Sequence, residues 1–282
     1  MFKVSKVRKR KDLVIKERYY FSQYLCAEDF VMLQSKGFKR TFKHNLLLAI
    51  LFAFAAGIVN VFGFVNFGIF TTNITGHIGE FALWFEQSKW AAVQKITLWI
   101  TAFGFGSFTS SVIIGFFEKR KPKLSYTLPV IIEIGLLLWC LLIQKYPDQQ
   151  ARQILILLYA MGLQNGIVSV VSGKVVRTTH LTGMVTDVGI GLGKVVLKKG
   201  NKIFVLRSLI LNLAVITSFI LGAMLSALIT MDYHEKVLLI PIILLVSVLI
   251  YDFKTIEKGM DKMKQLRERL HINRLDDYLP KR

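Results

Sequence analysis

Apolar runs long enough to cross a bilayer constrain this chain more than any other feature. A span of hydrocarbon takes about 18 to 20 apolar residues wound as a helix, and several stretches reach or exceed that length. A mean hydropathy of +0.49, with 53% apolar residues, sets the chain outside the soluble globular class. Backbone amides in hydrocarbon must find partners within their own segment. The expected fold class is therefore all-α, a polytopic helical membrane protein. Six full transmembrane helices are expected at 45–70, 91–117, 127–143, 153–172, 203–230 and 237–251.

One polar phrase interrupts this pattern twice. Thr71-Thr72-Asn73-Ile74-Thr75-Gly76 ends one apolar run, and Thr178-Thr179-His180-Leu181-Thr182-Gly183 ends another, 107 positions later. Hydroxyls and glycine at that density do not make a lipid-facing helix. Each stretch is expected to be a short re-entrant or broken segment. Other places correspond in the same order. Gly57-Ile58-Val59-Asn60 matches Gly162-Leu163-Gln164-Asn165, Ser110 to Gly115 matches Thr217 to Gly222, and Pro129 matches Pro241 loosely, at 112. These correspondences divide the chain into membrane repeats at 45–145 and 153–252, flanked by basic tails at 1–44 and 253–282.

Charge in the short loops orients the halves. Lys119, Arg120, Lys121 and Lys123 mark one loop, and Lys194, Lys198, Lys199 and Lys202 another. The loops at 145–153 and 230–236 carry only Lys145, Arg152 and Lys236. Six spans with both tails cytoplasmic satisfy all four loops. Three crossings per half then make the repeats inverted, with the Thr71 segment entering from outside and the Thr178 segment from the cytoplasm. Were both segments full crossings, the repeats would be parallel and the 118–126 loop would break the charge rule. Small residues share faces within the spans: Gly57, Asn60 and Gly63 in the first; Gly104, Ser107, Ser111 and Gly115 in the second.

The net charge of +19 does not indicate nucleic acid, because 21 of the 37 Lys and Arg residues lie in the two tails. Basic flanks of apolar spans hold against anionic lipid, and the first tail is expected to carry a helix lying on the headgroups. Cys26 and Cys140 imply neither a disulfide framework nor a metal site. The first span begins too late, and runs too long, for a cleaved signal, so the N-terminus is expected to be retained.

The substrate-binding candidates are Asn60, Thr71, Thr72, Asn73, Thr75, His77, Asn165, Thr178, Thr179, His180, Thr182 and Asp187. Hydroxyls and amides in irregular membrane segments become ligand groups when no backbone partner claims them; the alternative is that they cap short helices or join helices. Gly76 and Gly183 are assigned to gating or packing. Glu133 and Asp187 are ionisable groups inside membrane segments, where charge is costly and often functional. Glu133 is the candidate for ionisable coupling, though its place near the start of its span also lets it reach the interface. Asp187 is the candidate to neutralise a cation, Lys174 or Arg177. His77 with Glu80, and His180 with Asp187, have metal-like spacing but too few converging ligands. His234 sits with Asp232 and Glu235 in an outer loop. No cofactor, metal or catalytic constellation is expected, and the chain is not read as an enzyme.

At Gly57 to Asn60, Thr75-Gly76-His77, Gly162 to Asn165 and Arg177 to Gly183, the chain resembles the YoaK-type family of bacterial integral membrane proteins of unknown function. The resemblance covers roughly residues 45–250 and implies about six spans in the bacterial plasma membrane. The family commonly has Asp at the place of Asn60 and Asn at the place of His77. An acidic group carrying protons or cations in that span would thus be lost here.

Two functional readings follow. One is a transporter or permeation protein for a small polar solute or ion, with a midplane site between the two Thr-rich segments. The other is a non-transporting membrane scaffold that meets lipid or a partner through its tails. The expected partners are membrane lipids, with anionic lipid at the tails, and a small solute or ion. Glycine-striped helices are also compatible with a homodimer.

Overall fold

The computed structural model describes residues 42–143, 149–172 and 178–270. The expected interfacial helix of the first tail, with Gly173, Lys174 and Arg177, lies outside them. Among the described residues the chain is helical, with no strand. In order come α1 (Phe42–Phe67), α2 (Ile74–Glu86), α3 (Trp90–Phe117), α4 (Pro122–Ile143), α5 (Gln150–Val171), α6 (Leu181–Val196), α7 (Lys202–Tyr233), a 3-10 turn (His234–Leu238) and α8 (Leu239–Leu270). Among the described residues, six helices are long and apolar enough to span a bilayer. They are α1, α3, α4, α5, α7 and the start of α8. At 13 and 16 residues, α2 and α6 are about 20 and 24 Å long, short of the ~30 Å hydrocarbon thickness.

Most boundaries differ from the sequence expectation by three residues or fewer, and two differ by more. Residues 122–126, expected in a basic loop, form the first turn of α4. Pro122 has no N–H to lose at the first helical position, and its fixed φ suits that place. The tail expected from 253 is helical to Leu270, through a run rich in Lys, Glu, Met, Gln, Leu and Arg, all good helix formers. Residues 250–270 belong to a separate compact unit from the bundle that ends at Leu249.

Within the bundle, α1 packs on α7 and α3 packs on α5. Glycine makes both approaches feasible. A Cβ at Gly57 would overlap the Phe219 carbonyl oxygen, and one at Gly222 the Phe54 carbonyl oxygen. On the other seam, a Cβ at Gly162 would overlap the Phe103 carbonyl oxygen, and one at Gly106 that of Tyr159. The Ser107 hydroxyl donates across this seam to the Gly162 carbonyl at 2.7 Å. In the same way α2 lies against α3, and α6 against α7.

These seams correct two sequence readings. The face of Gly104, Ser111 and Gly115 on α3 does not pack: a Cβ at either glycine would meet nothing within 4 Å, and Ser111 is exposed. Only Ser107 of that set reaches the seam, beside Gly106 and Ser110. The match of Gly115 to Gly222 also fails to describe packing, because the glycine on α3 that does the work of Gly222 is Gly106. By contrast, the loose pairing of Pro129 with Pro241 coincides with one order of burial. Ser125, Tyr126, Val130, Glu133 and Leu137 are buried on α4; Val237, Leu238, Ile242, Leu245 and Leu249 are buried at the same spacing of 112.

Candidate functional site

The chain leaves α1 at Gly68, whose φ of +71° ends the helix with its N–H on the Phe64 carbonyl. Phe64 and Phe70 stack across this exit, their ring centroids 4.2 Å apart. The irregular stretch that follows is tied back to α1. Asn60, 7% exposed, accepts through Oδ1 from the Thr72 amide at 2.9 Å and from the Thr72 hydroxyl at 2.8 Å. Thr71, 1% exposed, lies with its methyl against Gly63, and its hydroxyl has no partner.

Asn73 then opens α2 as its N-cap, its side-chain oxygen accepting from the Gly76 amide at 3.1 Å. A side chain at position 76 would strike that cap, which explains the glycine. Capping is therefore what Asn73 does, and Thr75 is exposed on the first turn. One turn on, His77 is 3% exposed and its Nε2 lies 3.0 Å from the Phe70 carbonyl. A carbonyl can only accept, so Nε2–H donates. Nδ1 makes no hydrogen bond, with Glu80 Oε2 3.8 Å away, and the ring meets Trp99 edge-on.

The second break begins alike and ends differently. Thr178, in the place of Thr71, is 0% exposed, and its hydroxyl also has no partner. His180 opens α6 where Asn73 opens α2, with φ −94° and ψ 53° against −95° and 66°. Its side chain makes no cap hydrogen bond, although its ring packs on Gly183. Asn165, in the place of Asn60, leaves Oδ1 buried and without a partner. Thr179 is half-buried, while His180, Thr182 and Asp187 are exposed.

The structure thus brings Asn60, Thr71 and Thr72 together at the first break, and adds His77 behind them. Asn73, Thr75, His180, Thr182 and Asp187 face outward. Glu133 is buried within α4 rather than reaching an interface. No group of three or more His, Cys, Asp or Glu among the described residues could hold a metal.

Sequence reasoning missed Gln164. It is fully buried, its amide nitrogen donates to the Phe52 carbonyl at 2.9 Å across to α1, and its Oε1 has no partner. The signal was present, since Gln164 stands where the matched stretch of α1 has the apolar Val59.

With this geometry in place, comparison with known proteins is direct. Residues 48–251 match the family model described as "Protein of unknown function (DUF1275)". The chain is 27% identical, over 212 residues, to the UPF0700 transmembrane protein YoaK of Bacillus subtilis (strain 168), covering 73% of this chain and 92% of that protein. No solved structure matches. The relative's transmembrane description accords with six apolar helices, those of a multi-pass membrane protein.

Proposed function

The chain belongs to the DUF1275 family, and on that premise we propose that it carries a small polar solute or ion along a path between the two broken segments. The observation that carries this reading is the pair Thr71 and Thr178. Both are buried, both occupy the first place of the repeated motif, and both hydroxyls are without partners. A capping threonine would have its hydroxyl engaged. A buried hydroxyl with no partner is destabilising by ~1–3 kcal/mol, so its retention points to a ligand group.

The crossed seams, in which the first helix of each half packs on the third helix of the other, support a twofold relation between the halves, and an odd number of crossings per half would make that relation inverted. Three crossings per half and basic loops at 119–121 and 194–202 go with cytoplasmic termini in a bacterial plasma membrane. A membrane scaffold is the second reading, favoured by the structural roles of Asn60 and Asn73.

Valine is the discriminating substitution, because it keeps threonine's shape without the hydroxyl. Thr71→Val and Thr178→Val are expected to leave unfolding unchanged or raise stability by up to ~1 kcal/mol. In proteoliposome swelling assays against sugars, amino acids and inorganic salts, each is expected to lower the flux of whichever solute the wild type passes by at least about tenfold, equivalent to 1.4 kcal/mol. Undiminished flux in both variants would remove the threonines from the path, and no wild-type flux for any solute would favour the scaffold.

A further inference from the structure

We propose that Glu133 is a proton-binding site in the membrane interior. It lies within the apolar span Leu124–Ile143, is 0% exposed, and neither carboxylate oxygen has a hydrogen-bond partner. The matching place on α8 is held by Leu245, also fully buried, in the same order of buried and exposed positions. A leucine therefore satisfies the packing at such a place, and the carboxyl is not needed for it. An ionised carboxylate with no donor is strongly disfavoured in this surrounding, so the group needs a cation of some kind.

A proton meets that need with one bond. A metal cation takes several ligands, and no group of three or more His, Cys, Asp or Glu among the described residues could hold one, which leaves carbonyl- and hydroxyl-bound sodium or potassium as the rival that the experiment below separates. The elements packed on α4 are α3, α5 and the 3-10 turn. Their ionisable groups are Lys95, exposed on α3, and Arg152 and Tyr159 of α5. Arg152 is exposed, and the Tyr159 hydroxyl donates to Thr109. The turn adds His234 and Lys236, both exposed, and Glu235. On α4 itself are Lys123, Tyr126 and Cys140, and neither oxygen of the Glu133 carboxyl has a hydrogen-bond partner.

Proton uptake forms one O–H bond and removes one negative charge; release breaks that bond and returns the proton to water. Use of this step to couple solute movement rests on the carrier reading, whereas the binding itself does not.

Infrared absorption of the purified full chain in nanodiscs tests the binding directly. At neutral pH the wild type is expected to show the C=O stretch of a protonated carboxyl, shifted slightly in D2O. That band is expected to be lost in Glu133→Gln and in Glu133→Leu, and kept in the exposed-site control Asp187→Asn. Glu133→Leu copies the residue at 245, so it is expected to melt no lower than wild type and carries the test should Glu133→Gln fold poorly. A wild type without the band, or a band that survives in both variants, overturns the proposal. So does a band that appears only when sodium and potassium are replaced by a bulky organic cation, which would mark a metal-cation site. No flux is measured, so failure here leaves the carrier reading untouched, and a chain that moves no solute leaves this one standing.

Discussion

The two broken segments start from nearly the same backbone and complete it differently. At the first, Asn60 holds both donors of Thr72, and Asn73 caps α2. At the second, Asn165 Oδ1 holds nothing and His180 makes no cap bond, although its φ and ψ lie within about 15° of those of Asn73. The motif therefore specifies a way for the chain to turn, and side chains outside its shared letters decide how firmly the turn is held. What the two breaks keep in common is a leading threonine, buried with an unclaimed hydroxyl. Anchoring differs between the halves while the unclaimed hydroxyl does not, which is why the hydroxyl, and not the anchor, is the better candidate for a shared function.

The sharpest way to break this comparison is to show that the halves also differ where they are expected to be alike, along the glycine seams. Gly57→Val and Gly162→Val each drive a side chain into a backbone carbonyl, which cannot give way as a side chain's end can. Both are expected to destabilise by about 3 kcal/mol, whereas Gly115→Val, with nothing near it, should stay within about 0.5 kcal/mol of wild type. Unfolding of the purified chain by denaturing detergent measures all three. Unequal losses at 57 and 162 would mean that the two seams are not equivalent.

A smaller effect tests the anchors. Asn60→Leu strands the Thr72 amide and hydroxyl together, and is expected to lower stability by about 2 kcal/mol. Asn165→Leu removes an oxygen that no donor uses, and is expected to be neutral or mildly stabilising. Equal losses in the same unfolding assay would show that Asn165 has a partner as important as that of Asn60, and the asymmetry would fall.

How much of this was legible in the sequence follows from which interactions are local. The six spans were readable because bilayer thickness acts on length and composition, and the breaks were readable because clustered hydroxyls exclude a lipid-facing helix. The face of Gly57, Asn60 and Gly63 was legible too, since helical spacing places all three on one side and each meets a neighbour there. On α3 the same rule chose Gly104, Ser111 and Gly115 and missed Gly106. Spacing shows which residues share a face, but only the partner helix decides which face is covered. The depth of Glu133 was hidden for a related reason. It lies six residues after Thr127, but α4 begins at Pro122, a full turn earlier, which moves the carboxyl well away from the helix start.

The finest comparison concerns a single cap. Asn73 accepts from the Gly76 amide, and His180 has the same backbone setting over Gly183 without that bond. Removing the first cap with Asn73→Ala is expected to lower stability by ~1 kcal/mol. Installing it at the second break with His180→Asn is expected to raise stability by about 0.5–1 kcal/mol, because an Asn oxygen there could reach the Gly183 amide as it does at Gly76. Position 180 is exposed, so the exchange disturbs no core packing. Amide hydrogen exchange at Gly183 gives the direct readout: protection should rise in His180→Asn toward that of Gly76 in the wild type. An unchanged rate would mean that the likeness of the two backbones stops short of the amide, and that the breaks differ in their main chain as well as in what holds them.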